Sequence, residues 1–352
     1  MTSPLRYSAA SLVRFAHVLL MRTGLDEQIS ADVAAVLVEG DLLGHTTHGL
    51  QLLSPYLREL ESGAMQRAGS WTVVAQHTAS QAWDGNRLPG PWLVLRELDA
   101  AAAIAREHGT GTVSIRRSHH IACLAAYLKR ATDKGLMIIL SCSDPAGASV
   151  APFGALTPVF TPNPVAAGIP TSGDPILLDI SASLTTNGLT GRLFQEGRLL
   201  PHPWVQDHLG NPTDDPGVLF REPKGTLLPT GGLDAGHKGY SLALLIEALT
   251  AGLSGHGRAD PAEGWGATVF LQIIDPQAFG GLEQFTRQMD WLAAACHAAT
   301  PRSDVERVRL PGERGLARFR GQQVDGVELY PGILDGLRTW TERLGVTPPQ
   351  PL

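Results

Sequence analysis

Apolar residues recur at helical spacing through the first sixty positions of this chain. Leu12, Phe15, Ala16, Leu19 and Leu20 share one face of a helix predicted over 8–22, with serines as N-caps and Gly24 as the stop. Val33, Val36, Leu37 and Gly40 repeat the pattern from about Ser30, and a third helix is expected over 50–63. Two short strands follow, 71–75 and 80–83, with Asp84-Gly85-Asn86 as the turn after them. From residue 90 the pattern alternates: a helix over 91–107 closed by Gly109, a strand at 112–115, a helix over 121–134 and a strand at 137–141. That order predicts a βαβ unit with a right-handed crossover. Residues 144–175 are so dense in proline and glycine that they read as rigid loop. An apolar strand over 176–180 carries Asp179 near its end, and 195–235 reads as a long polar arm or lid. Beyond it, Leu242, Leu245, Ile246, Leu249 and Leu253 make one apolar stripe of a helix ended by Gly255. A strand at 268–275, a helix over 281–299 and a tail over 324–344 ending in a helix complete the pattern.

Composition changes this picture little but narrows it. A chain of 352 residues, 43% hydrophobic and 18% charged, has the length and the apolar content for a substantial core. A net charge of −6 and the lack of a basic run argue against a nucleic-acid surface. Cys123, Cys142 and Cys296 match no metal spacing and no disulfide framework, so a reducing cytoplasm is expected. The first residues show no charged-then-apolar leader, and no aliphatic run is long enough to span a bilayer.

The candidate chemistry sits at the joints of the pattern. Gly44-His45-Thr46-Thr47-His48-Gly49 closes the second helix with two imidazoles three residues apart. Imidazole titrates near neutral pH, so His48 is a natural proton donor or acceptor; the plain alternative is a helix-capping histidine. Ser118-His119-His120 follows a strand, where open α/β sheets gather ligands, although a satisfied core histidine explains it equally well. Gly231 to Tyr240 is a glycine-rich loop that opens a helix and carries Lys238, a combination suited to an anion. No G-x-G-x-x-G follows a strand, so a standard Rossmann fingerprint is absent. Leu310-Pro311-Gly312-Glu313 has a type II turn signature that presents Glu313 outward.

Taken together, these stretches resemble the malate/L-lactate dehydrogenase family that lacks a Rossmann fold and also contains ureidoglycolate, sulfolactate and diketogulonate enzymes and cyclic-imine carboxylate reductases. The resemblance runs over nearly the whole chain. It rests on Gly44 to Gly49, Ser118-His119-His120, Ala151-Pro152-Phe153-Gly154, Asn163-Pro164, Leu178-Asp179 to Ser183, His237 to Tyr240 and Leu310 to Glu313. It implies an α/β fold with a non-Rossmann mixed sheet, like that of sulfolactate dehydrogenase, and a helical N-terminal region. Residues 1–75 would pack with the C-terminal segment 320–352, and 76–319 would form the cofactor-binding domain.

The activity implied is NAD- or NADP-dependent interconversion of a 2-hydroxy acid and a 2-keto acid, in a homodimer with its site near the interface. His48, beside Thr47, would pass a proton to or from the substrate oxygen, with His120 and Asp179 completing the catalytic group. Asn163, Asp179, Ser181, Ala182, Ser183, His237, Lys238, Gly312 and Glu313, together with His120, would contact the cofactor, and no metal is called for. Three departures stand out: Thr47 replaces a frequent serine, Ala122 a frequent glycine, and Leu52 the arginine that holds a substrate carboxylate in many members. Thr161-Pro162 also stands where Gly-Thr often precedes Asn163-Pro164. Arg116 or Arg117 could replace the missing arginine. A reductase of cyclic imine carboxylates is the near alternative. A metal-dependent hydrolase or lyase using His45, His48, His119, His120 and Asp179 is the distant one.

Overall fold

The computed structural model of the protein describes residues 5–352. Seven strands form one sheet: β1 (Thr72–Gln76), β2 (Ser80–Asp84), β3 (Thr110–Ser118), β4 (Met137–Ser143), β5 (Pro164–Ile169), β6 (Ile176–Ser181) and β7 (Ala267–Ile274). Their spatial order is β1-β2-β3-β7-β4-β5-β6. Only β2 and β3 pair parallel; every other neighbour is antiparallel, so the sheet is mixed, as the resemblance implied.

The strand nearest the end of the chain lies at the centre of this sheet. Val269, Leu271 and Ile273 of β7 are fully buried, and Leu271 stands opposite Val113 of β3 and Leu140 of β4. β3 and β4 therefore run parallel without touching, and the expected βαβ unit is corrected: β7 is inserted between its two strands. No local pattern announces that insertion, because β7 follows β4 by more than a hundred residues.

The helices longer than one turn are α1 (Ala9–Arg22), α2 (Glu27–Leu43), α3 (Leu53–Ser62), α4 (Gly90–His108), α5 (Ala125–Thr132), α6 (Asn187–Gln195), α7 (His237–Glu247), α8 (Leu282–Ala298), α9 (Glu313–Asp325) and α10 (Arg338–Leu344), and a single turn, Gly232–Ala235, precedes α7. α2 starts before Ser30 because the Asp26 carboxylate accepts the N–H groups of Gln28 and Ile29 and caps the helix there. It stops where Gly44 takes φ of 91°, a left-handed turn that favours glycine. α5 is shorter than expected, which leaves 119–124 irregular between β3 and the helix.

Two further elements differ from the sequence expectation. The proline-rich stretch 144–175 contains β5, which pairs with β4 and β6 through small residues such as Ala166 and Gly168. The polar excursion 195–235 folds three short strands, Val205–Gln206, Pro212–Thr213 and Thr226–Leu227, into a small sheet. It sits over a core of its own, with Val205, Leu227, Phe160, Ala182 and Ile246.

The main core is one cluster from Tyr7 to Trp340. The C-terminal segment binds the first helices through polar contacts as well. Arg6–Tyr7 pairs with Val327–Glu328, the Gln322 amide donates to the carbonyls of Asp41 and Leu42, and the Trp340 indole donates to Ser54 Oγ. This anchors the Gly44–Gly49 loop from beneath.

Candidate active site

The loop after α2 is held by a buried carboxylate. Asp41 Oδ2 accepts the Leu50 N–H at 2.7 Å, which closes 45–49 into a tight excursion. Burial drives the Asp41 pKa up to about 7. From the other side α6 leans on the loop. The Arg192 guanidinium donates to Thr46 Oγ1 and to the Thr46 carbonyl, and to the Gln51 amide oxygen, while its carbon lies 3.7 Å from the Tyr330 ring centroid. A bidentate guanidinium stacked on a phenol is a rigid brace, so Thr46 to His48 has little freedom.

His48 and His120 face one another, with ring centroids 5.9 Å apart and planes 24° from parallel. His48 Nδ1 lies 2.9 Å from Thr47 Oγ1. His48 keeps part of its surface open to solvent, yet desolvation first, then the His45 ring and the Arg192 guanidinium, lower its pKa to about 4. At neutral pH it is an uncharged imidazole. If the ring donates Nδ1–H to Thr47, Nε2 is left as a base.

His120 is fixed more firmly. Its Nδ1 accepts the Ala122 N–H at 3.2 Å and lies 2.9 Å from the Tyr56 hydroxyl, which also reaches the His120 carbonyl at 3.0 Å. An Nδ1 that accepts from the backbone leaves the ring proton on Nε2. Burial, then the neighbouring His48 and His119, hold its pKa well below the ordinary range. Ala122 adopts φ of 58°, which explains why glycine is frequent at this point of the motif. Trp265 covers the other side of the His120 ring, 4.7 Å between centroids.

His119 has a different job. Its Nε2 lies 3.1 Å from Glu59 Oε2, its ring is fully buried, and burial lowers its pKa to about 3. Of the two histidines after β3, the structure brings His120 to His48 and turns His119 into the core. Sequence reasoning missed the residue that makes this approach possible. A Cβ on Gly90, the first residue of α4, would lie 2.3 Å from the His119 carbonyl oxygen and 2.4 Å from that of His120. A Pro-Gly-Pro at a helix start was the available signal.

Asp179 stands on β6 near His45 and Cys123. Its Oδ2 accepts the Ala125 N–H at 3.0 Å at the start of α5, and burial raises its pKa while His45 opposes the rise. The chain then runs through Ser181, Ala182 and Ser183, where Thr230 N–H donates to the Ala182 carbonyl and Ser183 bridges to Pro229. Gly239 N–H in turn donates to the Thr230 carbonyl, so the exposed His237 and Lys238 at the start of α7 stand next to this segment. Past Ser183 the chain enters α6, and a Cβ on Gly188 would meet Thr47 and His48 at 3.3 and 3.8 Å. One continuous path thus joins the histidine pair to the lysine-bearing loop.

Other predicted residues are placed differently. Asn163 is fully buried, with its amide donating to Glu247 Oε1 and accepting from Thr161 Oγ1. Gly312 packs its backbone on Leu177 of β6, and Glu313 begins α9. The outward presentation of Glu313 is corrected: its carboxylate accepts the Leu310 N–H and pairs with His297 and Arg307. Arg116 and Arg117 are corrected as substitutes for the missing arginine. Both pair with Asp84, at 3.0 and 3.2 Å, and Arg117 also with Glu263.

An anionic dinucleotide fits what is exposed here. The exposed His237 and Lys238 at the start of α7 offer the cationic and donor groups for its phosphates, whereas the hydroxyls of Ser181 and Ser183 already donate to the carbonyls of Ser183 and Thr185. Among the described residues, the group whose ligand atoms converge as a metal set is His45, Cys123 and Asp179, not the four histidines with Asp179.

Comparison with known proteins gives a consistent answer. The sequence profile described as malate/L-lactate dehydrogenase matches residues 7–338. An L-lactate dehydrogenase from Cupriavidus necator is 30% identical over 353 residues, covering 98% of this chain and 99% of that one. The structure of a malate dehydrogenase from Pyrococcus horikoshii superposes with a TM-score of 0.88 at 27% identity, covering 99% of this chain and 98% of that one. A Δ1-piperideine-2-carboxylate reductase from Pseudomonas syringae superposes with a TM-score of 0.83 at 26% identity, covering 95% and 99%.

Proposed function

Because the chain belongs to the malate/L-lactate dehydrogenase family and is an oxidoreductase acting on CH–OH groups, we propose that it interconverts a 2-hydroxy acid and a 2-keto acid with NAD or NADP. The observation that carries this reading is the pair of neutral, stacked imidazoles of His48 and His120 at one end of the path from Asp179 to Lys238. The nicotinamide supplies the hydride chemistry when bound. His48 takes the hydroxyl proton on Nε2 during oxidation and returns it to the nascent alkoxide during reduction. His120 holds the substrate oxygen through Nε2–H, with Tyr56 and the Ala122 N–H fixing its ring. Thr47 orients His48. Asp179 and the backbone of 181–183 line the cofactor side, and Lys238 with His237 holds its phosphates. Gly312 and Glu313 support this side through β6, and Asn163 shapes the wall behind it.

The enzyme works as a homodimer in this reading. Leu245 and Leu253, expected on a core-facing stripe, are 55% and 58% exposed, and Trp291 on α8 is 69% exposed. β6, which carries Asp179, is an edge strand with Ile180 open to solvent. These surfaces support a second copy covering the site. Three unpaired cysteines support a reducing, cytoplasmic setting.

Reduction of a cyclic imine carboxylate is the second reading. The likeness to the Pseudomonas syringae reductase favours it. One assay separates the two readings: absorbance of reduced nicotinamide followed against a panel of 2-keto acids and cyclic imines. His48→Ala lowers turnover about a hundredfold or more while cofactor binding survives. Lys238→Ala weakens cofactor binding with turnover at saturation retained. Near-normal turnover in the first variant, or unchanged cofactor affinity in the second, removes that residue from its role.

A further inference from the structure

Three side chains from three separate elements meet beside the histidine pair. His45 comes from the loop after α2, Cys123 from the irregular segment before α5, and Asp179 from β6. One imidazole nitrogen, the thiol sulfur and one carboxylate oxygen all lie within 4.8 Å of one another. They are not hydrogen-bonded to each other. Asp179 spends Oδ2 on the Ala125 N–H, and the Cys123 Cβ is 3.3 Å from where a Cβ on Gly40 would stand, so α2 backs the thiol closely. Cys123 is 2% exposed, while His45 and Asp179 are half-buried, so the group is open from the side of those two.

We propose that His45, Cys123 and Asp179 form a binding site for a zinc-class divalent cation, and that its occupation switches the enzyme off. The donor set selects the ion. Thiolate, imidazole and carboxylate together suit Zn²⁺ or Co²⁺, whereas Mg²⁺ and Ca²⁺ take oxygen donors. Around a tetrahedral zinc, neighbouring donor atoms stand about 3.3–3.8 Å apart, so closing the present triangle takes a shift of roughly 1 Å. The half-buried His45 ring can supply that shift by rotation. The fourth position is left to water.

The proton balance is simple. The S–H bond of Cys123 breaks, a metal–sulfur bond forms, and one proton passes to the buffer for each ion bound. Inhibition follows from position and rests on the dehydrogenase reading above. An ion there takes Asp179 from the cofactor side and pins His45, three residues before the base His48.

The test uses the full chain, freed of metal by a chelator and titrated with Co²⁺. One equivalent per chain is expected to give a thiolate-to-cobalt charge-transfer band with the visible absorption of a four-coordinate ion. In Cys123→Ser the charge-transfer band is lost, metal-free turnover is unchanged, and inhibition by Zn²⁺ requires at least about tenfold more metal. A wild-type chain that gives no such band, or a band that survives in Cys123→Ser, overturns the site. A band with unaltered turnover overturns the switch and leaves the site. If no keto acid or imine is turned over at all, the dehydrogenase reading fails while the cobalt spectrum still decides whether the site exists.

Discussion

In the proposed reaction His48 would act as a base tuned by partial desolvation rather than by a carboxylate partner. Among the described residues its side-chain hydrogen-bonding neighbour at the ring is Thr47, and the groups that act on its charge, His45 and Arg192, disfavour the imidazolium. A folded pKa of about 4, below the ordinary 6.5, means that the ring is ready to accept a proton at every pH above about 5. For oxidation of a hydroxy acid, kcat/KM is therefore expected to stay level from neutrality down to about pH 5 and to fall near pH 4. An Asp41→Asn background isolates the imidazole, because the carboxyl under the loop titrates near 7. A limb at an ordinary imidazole value in that background would show that His48 is not desolvated. The brace on this residue was invisible in the sequence. Arg192 is separated from Thr46 by 146 positions, and nothing in its own helix marks it as a partner of the histidine loop.

At the scale of elements, α4 carries both the closest approach of the site and an unusual cost. Gly90 at its first turn lets the backbone of His119 and His120 pass. Two turns on, Glu97 is fully buried with neither carboxylate oxygen hydrogen-bonded, and burial raises its pKa well above 4.5. The folded protein therefore keeps a proton that the unfolded chain gives up above about pH 4.5. Its contribution to stability is complete below that pH and is lost as pH rises through the folded pKa. Glu97→Gln is expected to raise stability by roughly 1–3 kcal/mol at pH 8, a few °C in melting temperature, and by less at pH 5. Equal shifts at both pH values would contradict a protonated Glu97.

The elements that could be read from sequence are those with their own periodicity or punctuation. α1, α4 and β6 lie within a residue or two of expectation because apolar spacing and a following glycine or turn mark them. The misread or unread elements lack that signal. β5 hides between prolines and draws its pairing from β4 and β6, and α6 owes its start to Thr186, whose hydroxyl also suits a turn. The site divides in the same way: His48, His120 and Asp179 stand in local motifs, whereas Gly90, Arg192 and Trp265 act only through tertiary contact.

For the molecule as a whole, the surface left open is as informative as the core. The exposed leucines of α7 and its continuation, with Trp291 on α8, would be a solubility burden on a lone chain. Sedimentation of the purified protein is expected to give twice the chain mass of 37.5 kDa. Leu245→Glu combined with Leu253→Glu should give the single chain with a loss of turnover. A wild-type protein that sediments as one chain at full activity would remove the dimer from the mechanism.

The central place of β7 also has a consequence for how the protein is made. On the ribosome β3 and β4 emerge early, yet the strand that joins them is not synthesised until residue 274. At about 5–20 residues per second that is a wait of roughly ten seconds with two apolar strand edges unpaired, long enough for a chaperone to bind and for crowded nascent chains to stick to one another.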